Sequence, residues 1–234
     1  MFEYKFTELP KHGYRCIGID LRGFGDSDKP CDGYNYDTVA DDLKAVLDTL
    51  NLQNVVLAGF SMRGAIAIHY MARHEGSRIA KLVLLGAAAP CFTKREDYPF
   101  GIDSSAVDDL IRQTYTDRPS MLKNFTEIFF VNPNKLSSEF KIWNLSLGLA
   151  ASAHATIQCA IELTNADLRR NLTTIDVPTL ILHGLDDHVC LFDLAKSMHD
   201  GIKGSRLVSI EKAGHGFYYE ERDKLNSELV KFID

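Results

Sequence analysis

Short apolar runs alternate along this chain with stretches in which apolar residues recur every third or fourth position, the pattern of strands laid between helices. Residues 14–20 (Tyr-Arg-Cys-Ile-Gly-Ile-Asp) form such a run and lead into Arg22-Gly23-Phe24-Gly25-Asp26-Ser27, so they read as a buried strand entering a turn. Val39, Leu43, Val46, Leu47 and Leu50 follow at helical spacing, with Asp41, Asp42, Lys44 and Asp48 on the other side, which predicts an amphipathic helix. A second buried strand is predicted at 54–59, a helix at 62–74 and a third strand at 81–86. Strands and helices in strict alternation predict an α/β fold with a mainly parallel sheet flanked by helices.

The rhythm breaks at Pro90 and resumes near Asn171. Between them, Pro and Gly punctuate helical stretches that carry Phe125, Phe129, Phe130 and Trp143, with no convincing strand, so this part reads as a helical insertion. Strand 178–184, helix 192–198, strand 205–210 and helix 220–232 then continue the sheet. The organisation is a core in two parts, 1–89 and 172–234, with the insertion at 90–171 forming a cap.

With 234 residues, 45% hydrophobic and 25% charged, the chain is long enough to bury one sizeable core. A formal charge of −6 and the absence of a basic stripe exclude an electrostatic footprint for nucleic acid. Cys16, Cys31, Cys91, Cys159 and Cys190 are scattered and odd in number, which argues for free thiols in a reducing compartment. The N-terminus has no apolar core of signal-peptide length, and no apolar run approaches the roughly 20 residues needed to span a bilayer. The expectation is a cytoplasmic protein without a membrane partner, with a homo-oligomer allowed.

The chemistry concentrates at Gly59-Phe60-Ser61-Met62-Arg63-Gly64, where a lone serine stands between a predicted strand and a predicted helix. This is the Gly-x-Ser-x-Gly elbow with one mismatch, Arg63. Ser61 is equally suited to capping a helix N-terminus, so the surroundings must decide. A nucleophilic serine needs a histidine base and a carboxylate to orient it. For an elbow of this type the expected order is Ser, acid, His, each after a strand. Asp186 and Asp187 follow the strand ending at Gly184, and His215 follows the strand ending near Ile210. The glycines flanking His215 predict a mobile, accessible imidazole, whereas His69 and His74 read as structural or surface residues. His183, Asp186, Asp187 and His188 contain ligand types suited to a metal, but strand alternation sends them in different directions and no metal site is assigned.

These segments together, with Asp20-Leu21-Arg22-Gly23-Phe24-Gly25-Asp26-Ser27, Leu182-His183-Gly184-Leu185-Asp186-Asp187 and Ala213-Gly214-His215, resemble the α/β-hydrolase family over all but the insertion, which corresponds to that family's variable cap. The closest resemblance is to its small serine esterases, lactonases and cofactor-free haloperoxidase-like perhydrolases. The resemblance implies Ser61 as nucleophile, His215 as base, Asp187 (three residues after the glycine) as orienting acid, and the Met62 backbone N–H as one oxyanion donor. It implies a small ester or lactone as substrate and no cofactor. Perhydrolysis or carbon–carbon bond hydrolysis by the same residues is the alternative within enzymes, and a weakly active or ligand-binding relative is the alternative outside them. Serine at position 61 disfavours dehalogenase and epoxide hydrolase chemistry, for which the resemblance would require aspartate. Phe125, Trp143 and Val189 are candidates for an apolar acyl pocket, although such residues also serve simply as core.

Two departures from the family pattern stand out. The resemblance implies three strands before residue 14, the third followed by a His-Gly turn with a second oxyanion N–H. Residues 1–4 resemble the start of the next helix, so about thirty residues expected by analogy would be absent, and Met1 would be an internal methionine of a longer frame or the start of a shortened chain. The strands at 14–20 and 54–59 must then pair directly or leave backbone groups unsatisfied. Secondly, Arg63 stands where the elbow needs a small side chain. It predicts either overpacking of about 1–3 kcal/mol or a guanidinium turned to solvent, and Arg63→Gly is expected to raise stability or activity.

Overall fold

Four parallel strands, each hydrogen-bonded to the next in chain order, form the centre of the molecule. The computed structural model describes residues 2–234. The strands are β1 (Val55–Phe60), β2 (Ile79–Leu85), β3 (Thr179–Gly184) and β4 (Arg206–Ile210). Their register pairs Phe60 with Leu85, Leu85 with Leu182, and Gly184 with Ile210, so the carboxyl ends of the strands are level along one rim.

Period-two alternation sends the central strands' apolar side chains to both faces. Leu82, Leu84 and Ile181 join one core with α2 (Tyr36–Thr49), α3 (Met62–Arg73) and α8 (Phe192–Gly201). Val83, Leu85, Leu180, Leu182 and Ile210 join the other with α9 (Phe217–Glu220) and α10 (Arg222–Ile233). The predicted helix after residue 38 begins earlier, because Asn35 caps α2 by accepting the Thr38 N–H at 2.9 Å. Residues 3–8 form the short helix α1 (Glu3–Glu8).

The strand predicted at 14–20 does not form: the segment lies outside the sheet, and Ile17 and Ile19 remain exposed. An apolar run specifies a strand only where a neighbour completes its ladder. Here β1 pairs with β2 alone, and among the described residues 14–20 makes no backbone ladder bond; the Asp20 carbonyl accepts from Ser27 Oγ at 2.6 Å instead.

Between β2 and β3 the chain is mainly helical, with α4 (Ser104–Phe129), α5 (Ser138–Ala150), α6 (Ala153–Asn165) and α7 (Arg169–Leu172). Helix α4 is two helices joined at a kink, with Asp117 at φ −153°, ψ 76°. Pro119 disfavours helical continuation before it, and Asp117 caps the second half by accepting from Ser120 N and Oγ. The Ser152 N–H donates to the Gly23 carbonyl at 2.8 Å, tying the insertion to the loop after residue 20. Among the described residues, no helix is long and apolar enough to cross a membrane.

Candidate active site

The three predicted residues meet at the carboxyl rim of the sheet. Ser61 joins β1 to α3 at φ 56°, ψ −128°, a region that costs a non-glycine residue strain and raises its side chain out of the turn. Its hydroxyl caps no helical N–H, which removes the capping alternative. Instead Ser61 Oγ lies 2.9 Å from His215 Nε2, and His215 Nδ1 lies 2.7 Å from Asp187 Oδ2. The Met62 N–H, first in α3, donates to no carbonyl. An unpaired N–H beside a serine hydroxyl is free to bind a developing oxyanion.

The mismatch at Arg63 resolves at the backbone. A Cβ on Gly59 would lie 2.4 Å from the Arg63 carbonyl oxygen, and one on Gly64 would lie 2.4 Å from Ala87 Cβ, so the close approaches fall on those two glycines. The Arg63 side chain is partly exposed and forms no ion pair among the described residues. Its guanidinium carbon sits 5.5 Å from the Phe24 ring centroid, and burial weakens its hold on the proton. Arg63→Met keeps the stem and removes the desolvated charge. It is expected to stabilise the fold by about 1 kcal/mol, read as a rise of roughly 2–4 °C in melting temperature.

Asp187 and His215 are almost inaccessible, 3% and 0% exposed. Asp187 Oδ1 accepts the N–H groups of Val189 and Cys190, both at 2.8 Å. Burial alone would push its carboxyl up, but the charge of His215 and the N–H groups of His183 and His215 together hold it well below the usual carboxylate range. Asp186 and His188 are exposed, which separates the rival acid from the base and sets both apart from the buried His183 and Asp187.

His215 is not a mobile imidazole. The end of α4 packs on its loop: Gly216 N–H donates to the Phe129 carbonyl at 2.6 Å, and a Cβ on Gly216 would lie 2.2 Å from the Phe130 ring. The flanking glycine therefore provides close packing rather than freedom. Gly216→Ala is expected to cost about 1–3 kcal/mol, measurable as a melting temperature lower by some 3–10 °C.

The remaining predicted residues divide. Val189 is buried beside the acid, and Phe125 meets Phe129 edge to face at 5.2 Å. The Trp143 ring packs against Phe140 at 5.6 Å and joins the core on the α9–α10 side, which also holds Phe60 and Phe129. Rings that do touch the imidazole are Phe129, edge to face at 4.6 Å, and Phe60 at 4.7 Å. Cys190 also lies at the site, its Sγ 4.0 Å from Ser61 Oγ. Burial, reinforced by the Asp187 charge, pushes its thiol well up, so it stays protonated. Its position three residues after the acid was the only sequence signal for it.

This sheet order, with a strained serine after β1, an acid after β3 and a histidine after β4, is that of a hydrolase. The chain belongs to the α/β-hydrolase fold family, whose model matches residues 4–222. It is 53% identical to the AB hydrolase superfamily protein YisY of Bacillus subtilis over 99% of this chain and 86% of that protein. It is 32% identical to the bifunctional esterase/perhydrolase DCH of Acinetobacter calcoaceticus over 95% of this chain and 83% of that one. Among solved structures, an esterase from Exiguobacterium antarcticum superposes with a TM-score of 0.96 at 48% identity, over 99% of this chain and 86% of that chain.

Proposed function

We propose that this enzyme hydrolyses a small carboxylic ester or lactone through an acyl-enzyme formed on Ser61. The observation that carries the reading is the unbroken hydrogen-bond chain Ser61–His215–Asp187 beginning at a strained serine. His215 Nε2 takes the Ser61 proton as Oγ adds to the substrate carbonyl, and the Met62 N–H binds the resulting oxyanion. As the intermediate collapses, the bond to the alkoxy oxygen breaks and His215 returns the proton to that oxygen. Water then attacks the acyl-enzyme, giving its proton to His215, and collapse releases the acid and restores Ser61. Asp187 holds the imidazole in the tautomer that leaves Nε2 free to accept. A lactone follows the same path with the alcohol still tethered, leaving as a hydroxy acid. Every proton is carried by these side chains, so the path calls on no cofactor.

Phe60, Phe129 and Val189 surround the reacting groups with apolar surface, which suits a short acyl group better than a charged one. The free cysteines fit a cytoplasmic setting. The likeness to an esterase/perhydrolase supports a second reaction in which hydrogen peroxide replaces water as the acceptor and a peracid is released.

The test is steady-state turnover of p-nitrophenyl acetate and γ-butyrolactone by the purified chain, with peracid formation from acetate and hydrogen peroxide measured alongside. Ester or lactone turnover supports the primary reading, and peracid formation alone would replace it by the second. Ligand-induced stabilisation with no turnover of either kind would make the chain a binder.

A further inference from the structure

We propose that His183 is a positioning residue for the Ser61 site: its Nε2–H, shared between the Cys190 carbonyl and the Asp187 carboxylate, fixes the acid loop on which both the base and the nucleophile depend. The proposal rests on the reading of Ser61, His215 and Asp187 given above.

Strand alternation places His183 on the Ile181 face of β3, where it is fully buried and meets the Phe192 ring of α8 edge to face at 5.9 Å. Alternation alone would keep it away from Asp187. The loop 185–190 turns back on the end of the strand, however, and brings His183 Nε2 to 2.7 Å from Cys190 O and 3.3 Å from Asp187 Oδ2. A nitrogen facing two oxygens must carry the proton, since a lone pair there would oppose both. The neutral ring is therefore the Nε2–H tautomer, and Nδ1 is left a bare acceptor.

That bare Nδ1 is buried with no hydrogen-bond partner. A buried orphan acceptor is a liability that an aliphatic side chain in the same space would not carry. Packing is therefore not what histidine adds at this position. What it adds is the Nε2–H donor. With it, Asp187 has four N–H neighbours: Val189 and Cys190 on Oδ1, His215 and His183 on Oδ2. Cys190 is the pivot, because its N–H binds Oδ1, its carbonyl takes the His183 proton, and its thiol meets Ser61 Oγ. The titratable groups facing His183 are Asp187 and Cys190 from the acid loop and, across Asp187, His215 from the loop after β4. From α8 the Phe192 ring meets it edge to face.

Two amide variants separate donor from bulk. Gln reaches as far as Nε2, whereas Asn reaches only as far as Nδ1. For His183→Asn, kcat on p-nitrophenyl acetate is expected to fall about 10- to 100-fold with KM within about twofold, as for lost outer partners of a reacting group. Without the His183 proton, the Asp187 charge bears more fully on His215 and holds its proton more tightly. The acid limb of the kcat/KM profile is then expected about 0.5–1 pH unit higher. His183→Gln is expected to restore both the rate and the limb. A folded Asn variant with the parent's pH profile, or a Gln variant as impaired as Asn, would overturn the proposal. Should the Asn variant not fold, nitrogen-15 NMR of the unsubstituted chain decides: protonated Nε2 with bare Nδ1 supports the proposal, and the opposite tautomer overturns it. Failure of the hydrolase reading would instead show as no turnover in the parent chain, with the NMR result still deciding the placement of the His183 proton.

Discussion

Ser61→Ala is expected to lower turnover of a short-chain ester on the order of 10⁶-fold, the scale found when a serine hydrolase loses its nucleophile. The melting temperature should stay within about 2 °C, because the hydroxyl bonds only His215 and Cys190 and supports no helix N-terminus. The two readouts separate the candidate roles of this serine. A capping serine would show the reverse pattern, a loss of about 1 kcal/mol, roughly 2–4 °C, with turnover intact.

The second large effect is expected at Asp187. Asp187→Asn should lower kcat about 10⁴-fold, for a reason visible in the four donors around the carboxylate. An asparagine has one acceptor oxygen and one NH₂. If its oxygen keeps the Val189 and Cys190 N–H groups, the NH₂ faces His215 and His183. His215 must then present a bare Nδ1, which puts its proton on Nε2, where it can no longer accept one from Ser61. If the amide is turned, the NH₂ opposes two backbone N–H groups, and both are left unsatisfied. Unlike Ser61→Ala, this change should therefore also destabilise the fold.

The pH dependence follows from the same contacts. The folded-state carboxyl of Asp187 lies below its unfolded value of about 3.9. Its contribution to stability is therefore complete above about pH 4 and is lost as the pH falls through the folded value. Chemical denaturation of the parent chain should show stability falling on acidification below that point, with a shallower fall in Asp187→Asn.

How much of this was legible in the sequence depends on the range of the contact involved. The runs that became β2 and β3 were readable because strands buried on both faces are continuously apolar, and β1 has the same texture although it is an edge strand, partly buried at Val55–Leu57 and exposed at Ala58. Residues 14–20 have the same texture and failed, because texture does not state whether a ladder partner stands beside the run. Ser61, Asp187 and His215 were readable because each sits in a short motif at a strand end. The aromatic wall was not, since Phe129 and Trp143 look alike in sequence. Only the kink at Asp117 and Pro119 and the packing of α4 on Gly216 determine that Phe129 meets the imidazole. His183 was misread for a related reason: its strand phase was right, but the fold of the loop 185–190 returned Asp187 to it. At Arg63 the sequence left overpacking and a solvent-directed guanidinium both open, and the close approaches of the turn fall on Gly59 and Gly64.

The most direct measurement is mass spectrometric mapping of the chain quenched during turnover of p-nitrophenyl acetate. An acetyl group on the Ser61 peptide, matched by a stoichiometric burst of p-nitrophenol and absent from Ser61→Ala, is the expected result. Acetylation of another residue such as Cys190, or undiminished turnover in Ser61→Ala, would contradict it.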